Sequence, residues 1–282
     1  HSLIRHIQRG WNFFGAERNE FIDVLPASQR GGTESWYKGT ADAVTQNIDI
    51  VDSYGVDYVI ILAGDHIYKM DYEIMLRQHV DAGADVTIGC LEVSVEEAKA
   101  FGVMHVNGDD EITNFLEKPD NPPTIPGQDD VCLASMGIYV FKREVLQKLF
   151  DENVGKNDFG KEIIPYAVSQ DKYKVASYLY DGYWADIGNI SSFLEANLML
   201  TGFLPKFHLY DNQNKIYSHA RMLAPTKIFG TKITHGLISG GGICHAEEIS
   251  RCVIGVRSRI GQGTVIRDSV IMGNNYYQTV DD

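Results

Sequence analysis

The sequence is poor in basic residues relative to acidic ones. Lysine and arginine together number 25 against 38 aspartates and glutamates, which leaves a formal net charge of −13. Proteins that bind nucleic acid usually present a basic face, so this balance argues against a nucleic-acid partner. It does not exclude small anionic ligands, because these respond to the local field of a cleft.

Long apolar runs are also lacking. No run approaches the roughly 20 residues that a membrane helix needs, so we expect no membrane partner, and we see no signal peptide. The chain starts at His1 without an initiator methionine and stops at Asp282, just after a repetitive β segment. We therefore expect that both ends are truncated.

Cysteine is scarce and is not arranged for metal binding. The four cysteines form no C-x-x-C pair, and no histidine lies at zinc-ligand spacing from them; they are Cys90, Cys132, Cys244 and Cys252. Three of them lie in apolar, strand-like runs. This pattern predicts buried, reduced thiols in a cytoplasmic protein, or a plastid protein if the source is a plant.

What the sequence does contain, over its first 200 residues, is an alternation of apolar strands and amphipathic helices. Residues 56–63 form a nearly continuous apolar run, typical of a strand buried on both faces of a parallel sheet. The alternation predicts a layered α/β domain. The predicted strands are 56–63, 85–93, 102–106, 111–117, 136–141 and 174–180, and the predicted helices are 40–54, 71–83, a short one from Ser94, one from Arg143, 160–169 and 190–200.

The pattern changes after residue 202. Residues 203–225 show little periodicity and are interpreted as a linker, between a domain at 1–202 and one at 226–282. In the last domain, apolar residues recur every six positions, and a glycine follows three of them; the apolar positions are Ile254, Ile260, Ile266 and Met272. This repeat predicts a parallel β-helix, although a β-meander with glycine turns would also fit.

Two aspartates follow predicted strands in glycine-containing segments. Asp65 comes directly after the apolar run 56–63 and is preceded by Gly64, and Asp186 lies in Tyr-Trp-Ala-Asp-Ile-Gly. Ligands bind at the carboxyl ends of strands in open α/β sheets, and Mg²⁺ prefers one or two carboxylates plus phosphate oxygens. The pair could form a metal site, although either residue could instead cap a turn or a helix.

Two further segments carry groups suited to anions. Gly39 and Thr40 stand just before a predicted helix, where free backbone N–H groups favour anionic or polar ligands, although Thr40 could be a simple cap. Lys118 follows a strand and precedes the proline-rich loop 119–123, so it should be exposed and could bind phosphate as a point charge. Alone, such a lysine is usually a solvated surface residue.

Together these segments resemble the ADP-glucose pyrophosphorylase family, in the family's order and approximate spacing over nearly the whole chain. The quoted runs are HIQRGW (6–11), WYKGTADAV (36–44), VIILAGDHIYKMDY (59–72), AFGVM (100–104), FLEKPDNPP (115–123), LASMGIYVF (133–141), NDFGKEIIP (157–165) and YWADIG (183–188).

The resemblance implies a nucleotidyltransferase domain with a Rossmann-like mixed sheet, followed by a left-handed parallel β-helix. It further implies the conversion of ATP and glucose 1-phosphate into ADP-glucose and pyrophosphate with Mg²⁺, for glycogen or starch synthesis. Members are usually homotetramers that respond to small-molecule allosteric effectors, so we expect both properties here.

The family's roles map onto individual positions. Asp65 and Asp186 match the metal-binding catalytic carboxylates, and Lys118 matches the residue that holds the phosphate of glucose 1-phosphate. Glu117 would hold sugar hydroxyls, and the remaining glucose 1-phosphate positions are Tyr37, Gly102 and Ser135. The segment near the nucleotide comprises Gly39, Thr40 and Ala41, together with Gly64.

The sequence departs from the family in two respects. The glycine-rich loop with its Thr-Arg pair, which cradles the ATP phosphates, is not in this sequence, and position 189 is asparagine where threonine is usual. We expect Asn189 to cap the following helix all the same.

Three alternatives stay open. One is a nucleotidyltransferase that uses UTP or GTP, and another is a regulatory subunit, which Asp65 and Lys118 argue against. A third is a hexapeptide-repeat acyltransferase, which would use a catalytic histidine such as His235 or His245; nothing around these suggests a coenzyme A site.

Overall fold

The computed structural model describes residues 2–15, 17, 20–27 and 36–277. Contacts divide the chain into two compact units. The first, which we call the sheet unit, comprises Leu25–Gly64 and Met70–Gly182. The second, which we call the β-helix unit, comprises His1–Val24, Asp65–Lys69 and Tyr183–Asp282. The five residues that begin with Asp65 therefore belong with the C-terminal part of the chain.

The helices in the described part of the chain are short. They are α1 (Ser2–Gly10), α2 (Thr40–Thr45), α3 (Ile48–Ser53), α4 (Tyr72–Asp81), α5 (Val95–Ala98), α6 (Arg143–Glu152), a π-helix (Phe159–Ile163), α7 (Ile164–Ser169) and α8 (Ile190–Met199). None of them is long and apolar enough to cross a membrane.

The strands are interspersed with these helices up to α8 and then follow one another without helices between them. They are β1 (Tyr58–Ile61), β2 (His66–Tyr68), β3 (Val86–Ser94), β4 (Gly102–Val106), β5 (Ile112–Glu117), β6 (Val131–Lys142), β7 (Val175–Leu179), β8 (Trp184–Asp186), β9 (Lys227–Ile228), β10 (Lys232–Ile238), β11 (Ile243–Cys244), β12 (Glu248–Ile254), β13 (Arg259–Ile260) and β14 (Val265–Ile271).

The sheet unit is built on a mixed six-stranded sheet. Five strands follow the order β5-β4-β6-β3-β7, and β1 pairs with the C-terminal half of the long strand β6. Only β7 runs parallel to its neighbour, β3; the other pairs are antiparallel. The core lies between this sheet and helices α6, α7 and the π-helix, and its largest fully buried side chains include Phe141, Phe159, Ile88, Leu146 and Ile163.

Strand β1 corrects one prediction. The apolar run was expected to lie in a parallel sheet and to be buried on both faces, but β1 pairs antiparallel with β6, and all four of its residues are only half-buried. An apolar run predicts that side chains pack against something. It carries no information about the direction of the neighbouring strand.

The helix predicted over residues 40–54 is also corrected, because it breaks into α2 and α3. At the break, the Asn47 side chain donates hydrogen bonds to the Ala43 carbonyl at 2.8 Å and to the Tyr37 hydroxyl at 3.0 Å. Asparagine side chains compete with the backbone in this way and are poorly suited to helix interiors. The second piece ends as predicted at Gly55, whose φ of 62° favours glycine.

Local capping signals are confirmed in the same unit. Asp71 accepts a hydrogen bond from the Glu73 N–H at the start of α4, and Ser94 forms a reciprocal capping box with Glu97 at the start of α5. The hairpin predicted at Asn107 joins β4 and β5, and the Asn107 side chain accepts two backbone N–H bonds at 3.0 Å. These turns fix the chain directions that place Glu117 at the end of β5.

All four cysteines are buried and free of disulfides, as predicted. Cys90 and Cys132 lie in the sheet unit, and burial raises the pKa of each thiol. Cys244 and Cys252 lie in the core of the β-helix unit. Because the thiolate is the reactive species, Cys90 and Cys132 behave as small apolar side chains.

The β-helix unit contains two stacked parallel ladders, β10-β12-β14 and β9-β11-β13. Side chains at equivalent positions of successive coils fill its centre, as with Ile238, Ile254 and Ile271 in one ladder. The parallel β-helix prediction is therefore confirmed over the described residues, and the β-meander is wrong.

The coil length differs from the strict six-residue repeat. Partners in the first two coils are 16 residues apart, as Lys232 and Glu248 show, and later partners such as Glu248 and Val265 are 17 apart. Three full hexapeptides would require about 18. The six-residue spacing therefore does not continue to Met272, which is 70% exposed, whereas Ile254 and Ile260 are buried.

Helix α8 packs against strands β12 and β14 within the β-helix unit. It begins at Asn189, whose side chain accepts a hydrogen bond from the Ser192 N–H at 2.9 Å. This confirms that asparagine caps the helix at the position where the family usually has threonine.

Candidate active site

Asp65 and Asp186 lie at the same end of a small two-stranded sheet. Strands β2 and β8 pair antiparallel, with His66 opposite Asp186, and the Ile187 N–H donates to the Asp65 carbonyl at 3.1 Å. Asp65 stands directly before β2, and Asp186 is the last residue of β8. The pairing predicted for these two carboxylates is therefore present, although Asp186 ends its strand rather than following it.

Gly188 keeps open the space beside the two carboxylates. A Cβ at this position would lie 3.0 Å from Asp186 Oδ1 and 3.7 Å from Asp65 Oδ2. The Gly188 N–H donates to Asp186 Oδ1 at 2.7 Å, which fixes that carboxylate, while the Asp65 side chain is 63% exposed. Any larger residue at 188 would occupy space that both carboxylates now border.

This donor set fits a hard divalent cation. Two carboxylates and an open approach suit Mg²⁺, which completes its octahedron with water and phosphate oxygens. Across the part of the chain that the structure describes, no group of three or more His, Cys, Asp or Glu could hold a metal ion. A closed zinc-type site is thus not present there, and Asn189, not Asp186, caps α8.

His66 lies beside Asp65 within the β-helix unit. Its side chain is 12% exposed, its ring meets Trp184 edge-on at 4.9 Å, and its Nε2 lies 3.7 Å from Asp65 Oδ1. Its Nδ1 is buried without a hydrogen-bond partner among the described residues. The sequence prediction omitted His66 and Trp184, although both lie inside the quoted motifs.

In the sheet unit, Glu117 lies beside two glycines. It pairs with Gly102 at the end of the β4–β5 hairpin. A Cβ on Gly102 would lie 3.1 Å from Glu117 Oε2 and only 2.4 Å from the Phe115 ring, and a Cβ on Gly160 would lie 3.3 Å from the same oxygen. The two glycines therefore expose one face of this carboxylate, where a small polar ligand could approach.

Charges around Glu117 are mixed. Burial raises the pKa of this carboxyl, and the nearby Asp158 raises it further, while Lys118 and Lys161 act in the opposite direction. A partly desolvated carboxylate is a strong acceptor for hydroxyl groups, because water competes less well for it. Asp158 was not predicted as a site residue. Its side chain accepts the Lys161 N–H as a helix cap, and in the sequence it looks like any other aspartate at the start of a helix.

Lys118 has an unusual backbone. Its φ is 47°, in the left-handed region, and its N–H donates to the Phe101 carbonyl at 3.0 Å. Lysine rarely adopts this conformation, and the residue before a proline usually avoids the helical region, so the loop is strained here. Its side chain is exposed, as predicted.

Ser135 lies on β6 and is nearly buried. Its hydroxyl accepts the Gly137 N–H at 3.2 Å and also bonds the Tyr139 hydroxyl. Burial raises the pKa of Tyr139, and the negative charges of Glu117 and Asp158 raise it further. The tyrosine hydroxyl therefore lies close enough to both carboxylates to interact with them electrostatically. Tyr139 was missed, because a tyrosine within an apolar strand is usually a core residue.

Tyr37 is tied elsewhere. Its hydroxyl donates to the Leu25 carbonyl at 3.1 Å and accepts from the Asn47 side chain. Within the described residues there is no hydrogen bond between Tyr37 and Glu117. The structure thus groups Gly102, Glu117 and Ser135 and leaves the role of Tyr37 in sugar-phosphate binding as a prediction.

The start of α2 corrects the argument made for the nucleotide. Backbone N–H groups at this helix start were expected to be free, but those of Ala41 and Asp42 both donate to the Asn157 carbonyl, at 2.9 and 3.2 Å. Gly39 is the residue that permits this contact, because a Cβ there would lie 2.3 Å from that carbonyl. Thr40 is not the cap; its hydroxyl accepts the Phe159 N–H instead.

Nucleotide binding by Gly39, Thr40 and Ala41 therefore stays a prediction. Unpaired backbone N–H groups at the start of α2 no longer support it. Gly64 differs from these residues, since a Cβ placed there meets nothing within 4 Å. It leaves the backbone just before Asp65 open to a ligand, and its assignment also stays a prediction.

Comparison with known proteins covers both parts of the chain. A family model described as nucleotidyl transferase matches residues 1–202, and another, described as the GLGC left-handed parallel beta-helix domain, matches residues 221–282. The family and fold predicted from the sequence are confirmed.

Curated relatives agree with these matches. A glucose-1-phosphate adenylyltransferase of Jannaschia sp. (strain CCS1) is 49% identical over 97% of this chain and 70% of its own length. Proteins of the same name from Cereibacter sphaeroides (strain ATCC 17029) and Rhizobium etli (strain CFN 42) are 52% and 46% identical, over 88% and 97% of this chain. The chain spans 63% and 70% of the length of those two proteins.

Proposed function

Because this chain belongs to the glucose-1-phosphate adenylyltransferase family of nucleotidyltransferases, we propose that the protein transfers the adenylyl group of ATP to α-D-glucose 1-phosphate, giving ADP-glucose and pyrophosphate. The observation that carries the proposal is the match of both regions to this family, together with the paired Asp65 and Asp186. The product would supply activated glucose for glycogen synthesis, or for starch in a plant.

The reaction is a single in-line displacement at phosphorus. A phosphate oxygen of glucose 1-phosphate attacks the α-phosphorus of ATP, a new P–O bond forms, and the bond to the β-phosphate oxygen breaks as pyrophosphate leaves. No covalent intermediate with the protein is needed, so catalysis consists of positioning and charge neutralisation.

Asp65 and Asp186 would hold Mg²⁺ in the space beside Gly188. When bound, the ion neutralises negative charge on the reacting phosphates. The protein's own contribution is the geometry: the Gly188 N–H fixes Asp186, and the β2–β8 pairing keeps the backbone of Asp65 beside it. An exposed Asp65 carboxylate can meet a cation that arrives together with a nucleotide.

Glu117 and Lys118 would hold the two ends of glucose 1-phosphate. The partly buried Glu117 accepts hydroxyl donors over the face that Gly102 and Gly160 leave open. Lys118 is exposed, and its backbone is fixed by Pro119 and the Phe101 carbonyl, so its ammonium can reach a phosphate from a defined position on the chain. Ser135 would bind a further hydroxyl, with Tyr139 orienting it.

Regulation by small anions is a further part of the proposal. Partial burial lowers the pKa of His219, and the positive charges of Arg9, Arg221, His6 and Arg257 lower it further, in that order. Such a concentration of cations in a chain of net charge −13 would attract phosphorylated effectors. We also propose that the protein is cytoplasmic and assembles as a homotetramer, as we expect from the family.

The experiment that tests this function is pyrophosphate release with glucose 1-phosphate and Mg²⁺, comparing ATP with UTP, GTP and dTTP. We expect strong preference for ATP. Preference for another nucleotide would keep the mechanism and change the product. No release with any nucleotide would favour a regulatory subunit.

A further inference from the structure

Strand β2 is flanked by a predicted catalytic residue at one end and a largely buried lysine at the other. Asp65 precedes the strand and Lys69 follows it, so both lie in the segment Asp65–Lys69 of the β-helix unit. The Asp65 side chain is 63% exposed, and its position therefore follows the backbone of this segment. Two paired strands of three residues each are marginal without further contacts.

Lys69 supplies such contacts. Its Nζ donates to the His208 carbonyl at 2.8 Å, lies 3.8 Å from Asp211 Oδ2 and stands 5.6 Å above the centre of the Phe207 ring. The side chain is only 17% exposed. A lysine loses considerable side-chain freedom when it is ordered in this way, so the contacts must outweigh that cost.

The segment that Lys69 contacts, Phe207–Asp211, is itself held in place by other contacts. The Phe207 ring is 9% exposed and meets Tyr183, the residue before β8, edge-on at 6.0 Å. The Asp211 carboxylate accepts N–H bonds from Gln213 and Asn214, which lower its pKa, and Lys69 lowers it further. Segment Phe207–Asp211 thus contacts the chain that leads into β8 as well as the end of β2.

We propose that Lys69 is a positioning residue for the metal site: it fastens β2 to segment Phe207–Asp211 and thereby holds Asp65 at the distance from Asp186 at which one divalent cation is bound by both. This deepens the proposed function and rests on its assignment of the metal to Asp65 and Asp186. Lys69 itself would touch neither substrate nor metal.

Cation binding and sugar-phosphate binding should respond differently to a change at Lys69. Loss of the Lys69 ammonium leaves Asp65, Asp186 and the pairing of β2 with β8 unchanged. It removes the contacts that hold the C-terminal end of β2. Cation affinity should therefore fall. The residues proposed for glucose 1-phosphate, Glu117 and Lys118, are held by contacts inside the sheet unit and should keep their affinity.

The experiment compares Lys69→Met with Lys69→Arg and Lys172→Met. Methionine keeps an unbranched apolar stem close to that of lysine without its charge, and arginine can still donate to the His208 carbonyl. Lys172 is the matched control, because it too joins a carboxylate, Glu152, and an aromatic face, Tyr173, but within the sheet unit. Mn²⁺ alone is titrated into each purified protein, and the relaxation rate of water protons reports the bound ion.

We expect Lys69→Met to weaken Mn²⁺ binding about tenfold, as losses of residues that orient metal ligands commonly do. Lys69→Arg should restore most of the affinity, and Lys172→Met should leave it unchanged. In steady-state assays the apparent KM for Mg²⁺ should rise in Lys69→Met, while that for glucose 1-phosphate stays constant.

Asp65→Asn and Asp186→Asn distinguish the two levels of the proposal. If neither weakens Mn²⁺ binding, the metal assignment and with it the proposed function of these residues fail. If both weaken it and Lys69→Met binds Mn²⁺ as the wild type does, only the positioning role is overturned. A parallel rise of all KM values in Lys69→Met, without rescue by arginine, would also overturn it.

Discussion

The two groups of candidate site residues are held in different ways. Glu117 ends a six-residue strand in a six-stranded sheet, and Gly102 and Gly160 lie against its carboxylate. Asp65 directly precedes a strand of three residues and Asp186 ends another, and Asp65 is largely exposed. Core packing therefore organises the first group, whereas a few individual contacts organise the second.

This difference suits the two kinds of ligand. The hydroxyls of a sugar phosphate have fixed positions, so a rigid and partly desolvated partner binds them with higher affinity. A hydrated Mg²⁺ that arrives with nucleotide phosphates needs carboxylates that solvent can reach. The sheet unit would therefore contribute selectivity for the sugar, and the carboxylate pair would be the more sensitive to small displacements.

The most severe break should come from Asp65→Asn. The change preserves size but removes a charge that would hold the cation, whose stabilisation of the transition state is worth several kcal/mol. We expect kcat to fall roughly a thousandfold while glucose 1-phosphate binding survives, as measured by steady-state kinetics and calorimetry. Asp71→Asn, which retains a cap for α4, is the control; an Asp65→Asn enzyme with near-normal kcat would refute the assignment.

Acid should weaken the sheet unit through His79. This residue is fully buried and bonds Thr87 at 2.7 Å, and burial first, then Lys142, lower its pKa to about 4 against the opposing effect of Asp85. The unfolded chain takes up this proton near pH 6.5. The contribution of neutral His79 to the free energy of unfolding is thus fully present above pH 6.5. It should be lost as the pH falls towards 4, which lowers that free energy by about 3 kcal/mol in total.

Urea unfolding at pH 7 and pH 5 would measure this loss. His79→Gln, which can still bond Thr87, should show a flatter pH dependence than the wild type, whereas His105→Gln should not. Equal slopes in all three proteins would contradict the role of His79.

Lys118→Ala should act on sugar-phosphate affinity and leave the carboxylate pair intact. A hydrogen bond to a charged group is worth about 1.5–3 kcal/mol, so we expect the KM for glucose 1-phosphate to rise about tenfold to a hundredfold with a smaller change in kcat. Lys99→Ala, which removes an exposed ion pair with Glu96, is the matched control. A loss confined to kcat would place Lys118 in the chemical step instead.

The smallest effect should come from Gly160→Ala. The added Cβ would lie 3.3 Å from Glu117 Oε2, close enough to push the carboxylate slightly. We expect the KM for glucose 1-phosphate to rise about fivefold, which corresponds to about 1 kcal/mol of mild overpacking. Gly108→Ala, whose Cβ would meet nothing within 4 Å, should be neutral. An unchanged KM in Gly160→Ala would show that the open face of Glu117 is not used.

Features set by neighbouring residues were predictable from the sequence. The capping box at Ser94, the hairpin at Asn107 and the burial of the cysteines follow from local chemistry. The proximity of Asp65 and Asp186 was also expected, because both follow predicted strands in segments that contain a glycine within two residues. Such signals need only a few residues of sequence.

Features set by distant contacts were not predictable. The Asn157 carbonyl accepts hydrogen bonds from the backbone N–H groups at the start of α2, and no sequence signal near Gly39 predicts this contact. The coil length depends on how many residues each corner of the β-helix takes, so an apparent six-residue spacing failed at Met272. The direction of β1 depends on its partner β6, far along the chain.

The division of the chain between its units has a consequence for synthesis on the ribosome. Strand β2 leaves the ribosome long before its partner β8, and at roughly 5–20 residues per second the intervening stretch of about 115 residues takes on the order of 10 s to make. Until then the segment Asp65–Lys69 has no strand to pair with and no Phe207–Asp211 to hold it. That intervening stretch is the sheet unit's own Met70–Gly182, so the carboxylate pair is the part of the molecule whose assembly must wait until the sheet unit has been synthesised.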